Sequence, residues 1–342
     1  MKKTLLAVAI PTLLIANTAN AYELINEEGK FVDFYGQLRT QLEKKEDKDV
    51  TLNAGSSRAG VNAKYAVNDD LDVVGTVEFG IGFKEGSYDM ANRLHFAGFA
   101  TQVGTFTFGR QWVSTEDVWG ADYSYFFGGT GIGGISEFVS GARHDSAIKY
   151  KYEGESFWVN STYGLSEDDT NQELAELYAG TSFGALSLHA GGGSNRDKSF
   201  DAGALTMDVQ NTYFEGTAEY SFGAATIGLT YINGKLEDKG SDLSVDTDNV
   251  MLAAQYSLNS QASVYGGYEL TNYDASTGDS EDYTVVYVGT VYKLNSWSRV
   301  YAEYGFADGG TLGYSNENAD LVVAPTKFDG ESNFAVGYRV YW

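Results

Sequence analysis

Cysteine is absent from the 342-residue chain, so neither disulfides nor thiolate metal sites hold it together. Proline is nearly absent too. Only Pro11 and Pro325 occur, and the stretch between them carries none of the residues that remove ladder hydrogen bonds from strands. His95, His144 and His189 are the only histidines. They are scattered, with no metal-ligand spacing and no nucleophile elbow near them. Basic residues are scarce, 23 Lys plus Arg against 47 Asp plus Glu, and the formal charge of −24 argues against nucleic acid as a partner. Beyond the first residues, no apolar run approaches the roughly 20 residues a membrane helix needs.

The start of the chain reads as a secretory leader. Lys2-Lys3 precede an apolar run from Leu5 to Ile15, followed by Ala19-Asn20-Ala21, an Ala-x-Ala cleavage site. Cleavage after Ala21 divides the chain into a leader, 1–21, and one mature domain, 22–342. That domain is then either soluble and secreted or a membrane protein built from strands.

Between Phe31 and Trp342 the sequence swings back and forth about sixteen times. Its links alternate between tight and long. The tight ones are Val67–Asp70, Gln102–Thr105, Glu153–Ser156, Phe183–Ala185, Phe222–Ala225, Leu258–Gln261 and Leu294–Trp297. The long, acidic, Gly-rich ones lie around 44–54, 84–91, 113–142, 164–174, 193–208, 234–246, 272–282 and 307–330. Links short at one rim and long at the other predict an up-and-down transmembrane barrel. The 25 Tyr and 19 Phe suit strands, and in a barrel they suit interfacial girdles.

A soluble sandwich shares much of this composition, and the two-residue alternation separates the readings. Phe334, Val336, Tyr338, Val340 and Trp342 share one face, and Ala335, Gly337, Arg339 and Tyr341 the other. Arg143, Asp145, Ala147, Lys149 and Lys151 oppose His144, Ser146, Ile148, Tyr150 and Tyr152. Arg299 and Glu303 oppose Val300, Ala302, Tyr304 and Phe306, and Arg58, Asn62 and Lys64 oppose Ala59, Val61, Ala63 and Tyr65. Strands of about ten residues suffice to cross a bilayer at a tilt, so the apolar faces are assigned to lipid and the charged faces to a wet lumen. The expected fold is all-β, a sixteen-stranded antiparallel transmembrane barrel.

Three segments, Gly29–Gly36, Arg93–Gly98 and Gly104–Arg110, together with Phe127-Gly128-Gly129 and the terminal aromatic strand, resemble the general porins of Gram-negative outer membranes. The likeness extends over the whole mature length. It implies a homotrimer of water-filled barrels with short periplasmic turns, long extracellular loops and a third loop, here about 113–142, folded inward to narrow the channel. It implies Asp122 as the principal acid of the gap, with Asp117 and Glu116 nearby. The matching basic wall is Arg39, Arg58, Arg93 and Arg143, with Lys64 and Lys149 on the same inward faces. Phe126 stands where the family often has a glutamate, beside Phe127, so cation preference is expected to be weaker than loop charge suggests. Arg110 shares parity with outward Phe106 and Phe108, and the resemblance places it at the subunit interface. Trp342 takes the place of the family's terminal Phe, an aromatic signal for the outer-membrane assembly machinery.

Other signals are weaker. Gly129-Thr130-Gly131-Ile132-Gly133-Gly134 satisfies G-x-G-x-x-G but lacks the surrounding strand and helix, so it reads as flexible loop backbone. Acid clusters at Glu167-Asp168-Asp169, Asp242 with Asp246 and Asp248, and Asp279 with Glu281-Asp282 read as solvated loop faces, the alternative being divalent bridges to lipopolysaccharide. The expected function is passive diffusion of ions and small hydrophilic solutes across the Gram-negative outer membrane, without enzymatic activity, metal or cofactor. The alternatives are a solute-selective porin, or a surface adhesin or phage receptor on the same barrel.

Overall fold

The computed structural model describes residues 21–342, apart from residue 47 and residues 83–89, 167–171, 202–204, 312–314, 318–319 and 323–325. The leader up to Asn20, the Glu167-Asp168-Asp169 run and both prolines lie outside these residues.

Sixteen strands follow one another: β1 (Lys30–Lys44), β2 (Arg58–Asn68), β3 (Leu71–Gly80), β4 (Ala91–Thr101), β5 (Gly104–Trp112), β6 (Arg143–Glu153), β7 (Trp158–Gly164) and β8 (Gln172–Phe183), then β9 (Leu186–Asp201), β10 (Thr206–Phe222), β11 (Ala225–Asp238), β12 (Ser244–Ser257), β13 (Ala262–Ala275), β14 (Glu281–Asn295), β15 (Ser298–Thr311) and β16 (Thr326–Tyr341). Each pairs antiparallel with its successor. β16 then returns to β1, with Gln37–Lys44 opposite Phe334–Tyr341. Closure leaves no ladder open to hydrocarbon, where an unpaired backbone group would cost several kcal/mol.

The barrel begins with a feature absent from the sequence reading. Tyr22–Glu27 forms a short strand that turns back on β1, Glu27 opposite Lys30 and Tyr22 opposite Phe34. Glu28 and Gly29 take positive φ, 49° and 74°, the left-handed pair that a two-residue hairpin requires. This arm shares one edge of β1 with β16, whose terminal Trp342 exchanges backbone hydrogen bonds with Gly36 at 2.9 and 3.1 Å. A second short strand, Thr51–Asn53, pairs with Gln41–Glu43 on the other edge.

At the short-turn rim, asparagines cap the reversals. The Asp70 N–H donates to Asn68 Oδ1 at 2.9 Å, Gln261 N–H to Asn259 Oδ1 at 2.8 Å and Trp297 N–H to Asn295 Oδ1 at 3.0 Å. Beside these turns Phe183, Phe222, Tyr256, Tyr292 and Trp297 project outward and form a girdle. Along the walls the alternation holds: in β14, Tyr283, Val285 and Tyr287 are buried inside while Val286 and Val288 face out, Val288 58 % exposed.

The face assignment fails at Asp145, expected inside with Lys149. The β5–β6 register slips between Gly109/Ala147 and Gln111/His144, and this bulge turns Asp145 outward onto Arg110 while His144 is buried inside. The lumen is also not wet throughout. Inward Ile232, Met251 and Tyr213 form a dry cluster with Ile132 and Ile135, and Tyr265, Tyr273, Tyr283, Val285 and Tyr287 form another against Tyr123, Tyr125 and Phe127. Both clusters exist because the third loop lies inside the barrel.

Candidate functional site

The third loop leaves β5 at Val113 and rejoins β6 after Ala142, its root pinched by the Val113 N–H donating to the Ala142 carbonyl at 3.0 Å. It holds two short helices, α1 (Ser114–Val118) and α2 (Thr130–Ser136). The second contradicts the expectation of flexible backbone over Gly129–Gly134. Ile132 and Ile135, three residues apart, share a helix face and bury against Tyr213, Ile232 and Met251. The glycines permit the approach, since a Cβ on Gly131 would stand 2.0 Å from Asn249 Nδ2.

Three buried glutamates of the wall hold the loop by its backbone. Glu303 on β15 accepts the N–H groups of Tyr125 (2.7 Å), Phe126 (3.1 Å) and Phe127 (2.6 Å), as well as the Tyr265 hydroxyl at 2.7 Å. Glu269 on β13 accepts from the Gly129 and Gly131 N–H groups and the Thr130 hydroxyl. Glu176 on β8 accepts from the Ser114 N–H and the Thr115 and Tyr213 hydroxyls. Asn195 and Asn211 donate to the Ser136 and Ile135 carbonyls. Charge-assisted hydrogen bonds of this kind are about twice as strong as neutral ones. The wall also makes room for the loop. A Cβ on Gly305 would meet Phe127 Cγ at 2.5 Å, and one on Gly234 would meet Ile135 Cγ2 at 2.4 Å.

The three acids predicted for the gap part company. Asp117 pairs with Lys149 and with Lys151 at 2.6 Å and accepts from Asn160 at 3.2 Å, so it fastens α1 to β6 and β7. Lys149 is thereby withdrawn from the open wall; it also donates to the Trp112 carbonyl at 2.6 Å. Asp122 accepts from the Tyr287 hydroxyl at 2.8 Å and from the Ser124 N–H and hydroxyl at 2.8 and 3.0 Å, which turns it toward β14 and its own loop. Glu116 remains in the field of Arg143 and Arg58, with its carboxyl against that of Glu137. Phe126 packs edge-on to Phe127, ring centroids 4.5 Å apart.

The basic wall spans β1, β2, β4 and β6. Arg58 and Arg93 share Glu78, at 3.6 and 2.7 Å, and Tyr35 donates to the same carboxylate at 3.1 Å. Arg93 and Arg143 lie over the Trp112 ring, 5.1 and 4.7 Å from its centroid. Lys64 stands apart near the short turns, paired with Asp72 at 2.7 Å and half exposed.

The wall continues past the predicted set. Arg339 on β16 lies directly opposite Arg39 on one side and Arg299 on the other, three arginines abreast on adjacent strands. Tyr125 at the loop's tip binds both additions: Arg339 donates to its carbonyl at 2.9 Å and Arg299 to its hydroxyl at 3.1 Å. Arg299 and Arg339 carry the inward parity visible in sequence, but their equivalents on the last two strands are not among the basic positions implied by the resemblance.

The sequence profile of the Gram-negative porins matches residues 4–321. A solved trimer form of OmpT, an outer membrane protein of Vibrio cholerae, is 50 % identical and superposes with a TM-score of 0.86, covering 92 % of this chain and 100 % of that one. The Xenorhabdus nematophila outer membrane porin F is 27 % identical, the alignment covering 89 % of this chain and 93 % of the relative. The major outer membrane protein of Pasteurella multocida strain Pm70 is 25 % identical over 90 % of this chain and 93 % of its own length.

Proposed function

The chain belongs to the Gram-negative porin family, and from that premise we propose that its third loop and its arginine wall together set the permeability of the channel. The protein is an outer-membrane porin through which ions and small hydrophilic solutes diffuse passively. Its relatives are channels rather than enzymes, and no catalysis is assigned to it.

The observation that carries the reading is the three-glutamate suspension of residues 113–142 inside the lumen, opposite Arg39, Arg58, Arg93 and Arg143. A loop fixed there narrows the aqueous path and exposes solutes to the field of the wall. Asp117 and Asp122 are spent on shaping the loop, which leaves Glu116 as the acid facing the arginines. With Phe126 contributing a ring instead of a carboxylate, cation preference is much weaker than the formal charge of −24 implies.

The mature protein forms a homotrimer, as its Vibrio cholerae relative does in its trimer form. Arg110, paired with Asp145 on the outer face, lies at the subunit contact, because a charged pair facing acyl chains would be costly. The leader is removed after Ala21, Trp342 is read by the assembly machinery, and the outer surface is surrounded by lipid and lipopolysaccharide.

Reconstitution into planar bilayers tests the central reading. The expected result is stepwise closure in thirds and a reversal potential in a salt gradient close to that of a weakly selective pore. Asp122→Asn is expected to leave that potential unchanged, because the carboxylate does not face the arginines. Strong cation selectivity that Asp122→Asn abolishes would overturn the assignment.

A further inference from the structure

Arg299, Arg339 and Arg39 stand side by side across β15, β16 and β1, each directly opposite the next. Like charges directly opposite on a sheet repel. Among the described residues none of the three has a carboxylate within ion-pair distance. Arg39 Nε donates to Gln37 Oε1 at 3.2 Å, and the other two donate to Tyr125. The carboxylates of Glu303 and Glu43 on the same strands are engaged elsewhere: Glu303 with the loop N–H groups, and Glu43 with Gln41 and Lys45. Arg339 Nε is buried with no acceptor among the described residues.

The guanidinium planes are held. Arg339 lies 4.4 Å from the Tyr125 ring centroid and 5.2 Å from that of Tyr301, and Arg299 lies 4.7 Å from that of Tyr341. Tyr125 is in turn stacked on Tyr265 at 5.7 Å and packed against the tilted ring of Tyr301 at 4.8 Å, and is tied through its N–H to Glu303. Stacked guanidinium groups keep their N–H edges free for a planar acceptor, and arginine presents that edge as a two-pronged donor. A rank of three mutually repelling guanidinium groups, two of them held by stacked rings, with no carboxylate partner among the described residues, is short of negative charge.

Resting on the channel reading above, we propose that Arg39, Arg299 and Arg339, oriented by Tyr125, form a binding station on the lumen wall for the carboxylate or phosphate group of a small passing solute. The station relieves the repulsion within the rank when filled. It makes the pore faster for oxyanionic solutes at low concentration than its overall negative charge allows, because local occupancy rises where the wall holds the solute.

The test is single-channel chloride conductance of the trimer with inorganic phosphate titrated from one side. In the wild type, phosphate reduces the conductance along a saturating curve. In the Arg299→Gln/Arg339→Gln variant the half-saturating concentration rises at least tenfold. In Arg299→Lys/Arg339→Lys, which keeps the charges and loses the planar edges, the reversal potential in a chloride gradient stays at the wild-type value and phosphate saturation weakens to a similar degree. Stable conductance with no saturation by phosphate in the wild type, or lysine variants as sensitive as the wild type, would overturn the station while leaving the channel intact. A wild-type protein that conducts nothing would overturn the channel reading itself.

Discussion

At the scale of single residues, function rests on small side chains as much as on charged ones. Gly305 leaves the room that Phe127 occupies against β15, and Gly305→Ala forces a Cβ to within 2.5 Å of that ring. The expected result is overpacking that destabilises the seated loop by about 1–3 kcal/mol. Faster cleavage of the loop by protease added to the purified protein would register it, and cleavage at the wild-type rate would contradict it. The paired carboxyls at the loop's root lead to a second expectation. Glu137 is fully buried, and its oxygens have no donor among the described residues other than the carboxyl of Glu116. Burial, and then the Glu116 charge, hold the Glu137 carboxyl well above the ordinary carboxylate range, with Arg143 opposing. The folded loop therefore keeps a proton that the unfolded chain releases, and stability falls as pH climbs from the ordinary carboxyl range toward the raised value. Glu137→Gln carries no such proton. Its thermal midpoint should exceed the wild type's at about pH 8, and the gap should close toward about pH 5; equal midpoints at both would rule out the shared proton. Neither effect was legible in sequence, where Gly305 is one of 41 glycines and Glu137 one acid in an acidic loop.

At the scale of elements, strand parity told where most charges point, and it failed where the ladder itself slips. Asp145 breaks the pattern because β5 and β6 bulge beside it, and no composition signal marks a bulge between ordinary strand residues. The third loop's position is implied by the resemblance, whereas its means of attachment is not, because wall glutamates such as Glu303 look like lumen charges until their partners are known to be backbone N–H groups. The difference has a measurable consequence. Glu303→Gln leaves a single acceptor oxygen for three backbone donors and a tyrosine, and should weaken the loop's seating by on the order of 3 kcal/mol. The expected readout is flickering between conductance levels in channels that are otherwise of normal size. Steady channels with wild-type noise would show that the apolar contacts of Phe127 and the tyrosines suffice alone.

At the scale of the whole molecule, sixteen strands and their alternating links were visible in the sequence because a barrel in lipid repeats one physical requirement on every crossing. What was not visible was local and irregular: the arm Tyr22–Glu27, the short helix built on glycines, and the dry cluster where that helix meets the wall. Each depends on contacts between segments far apart in sequence, which periodicity does not record. The charge of the chain divides by location in the same way. Acids crowd the outer loops and the loop's moorings, while the arginines of β1, β2, β4, β6, β15 and β16 stand along one side of the lumen.

The seam of the barrel has a bearing on biogenesis. β1 shares one edge between the arm Tyr22–Glu27 and β16, and Trp342 bonds to Gly36. No partially synthesised form can complete that ladder. Without β16 the edge of β1 over Gln37–Lys44 stays open to self-association, so loss of that strand leaves a sheet with an open seam rather than a slightly smaller pore.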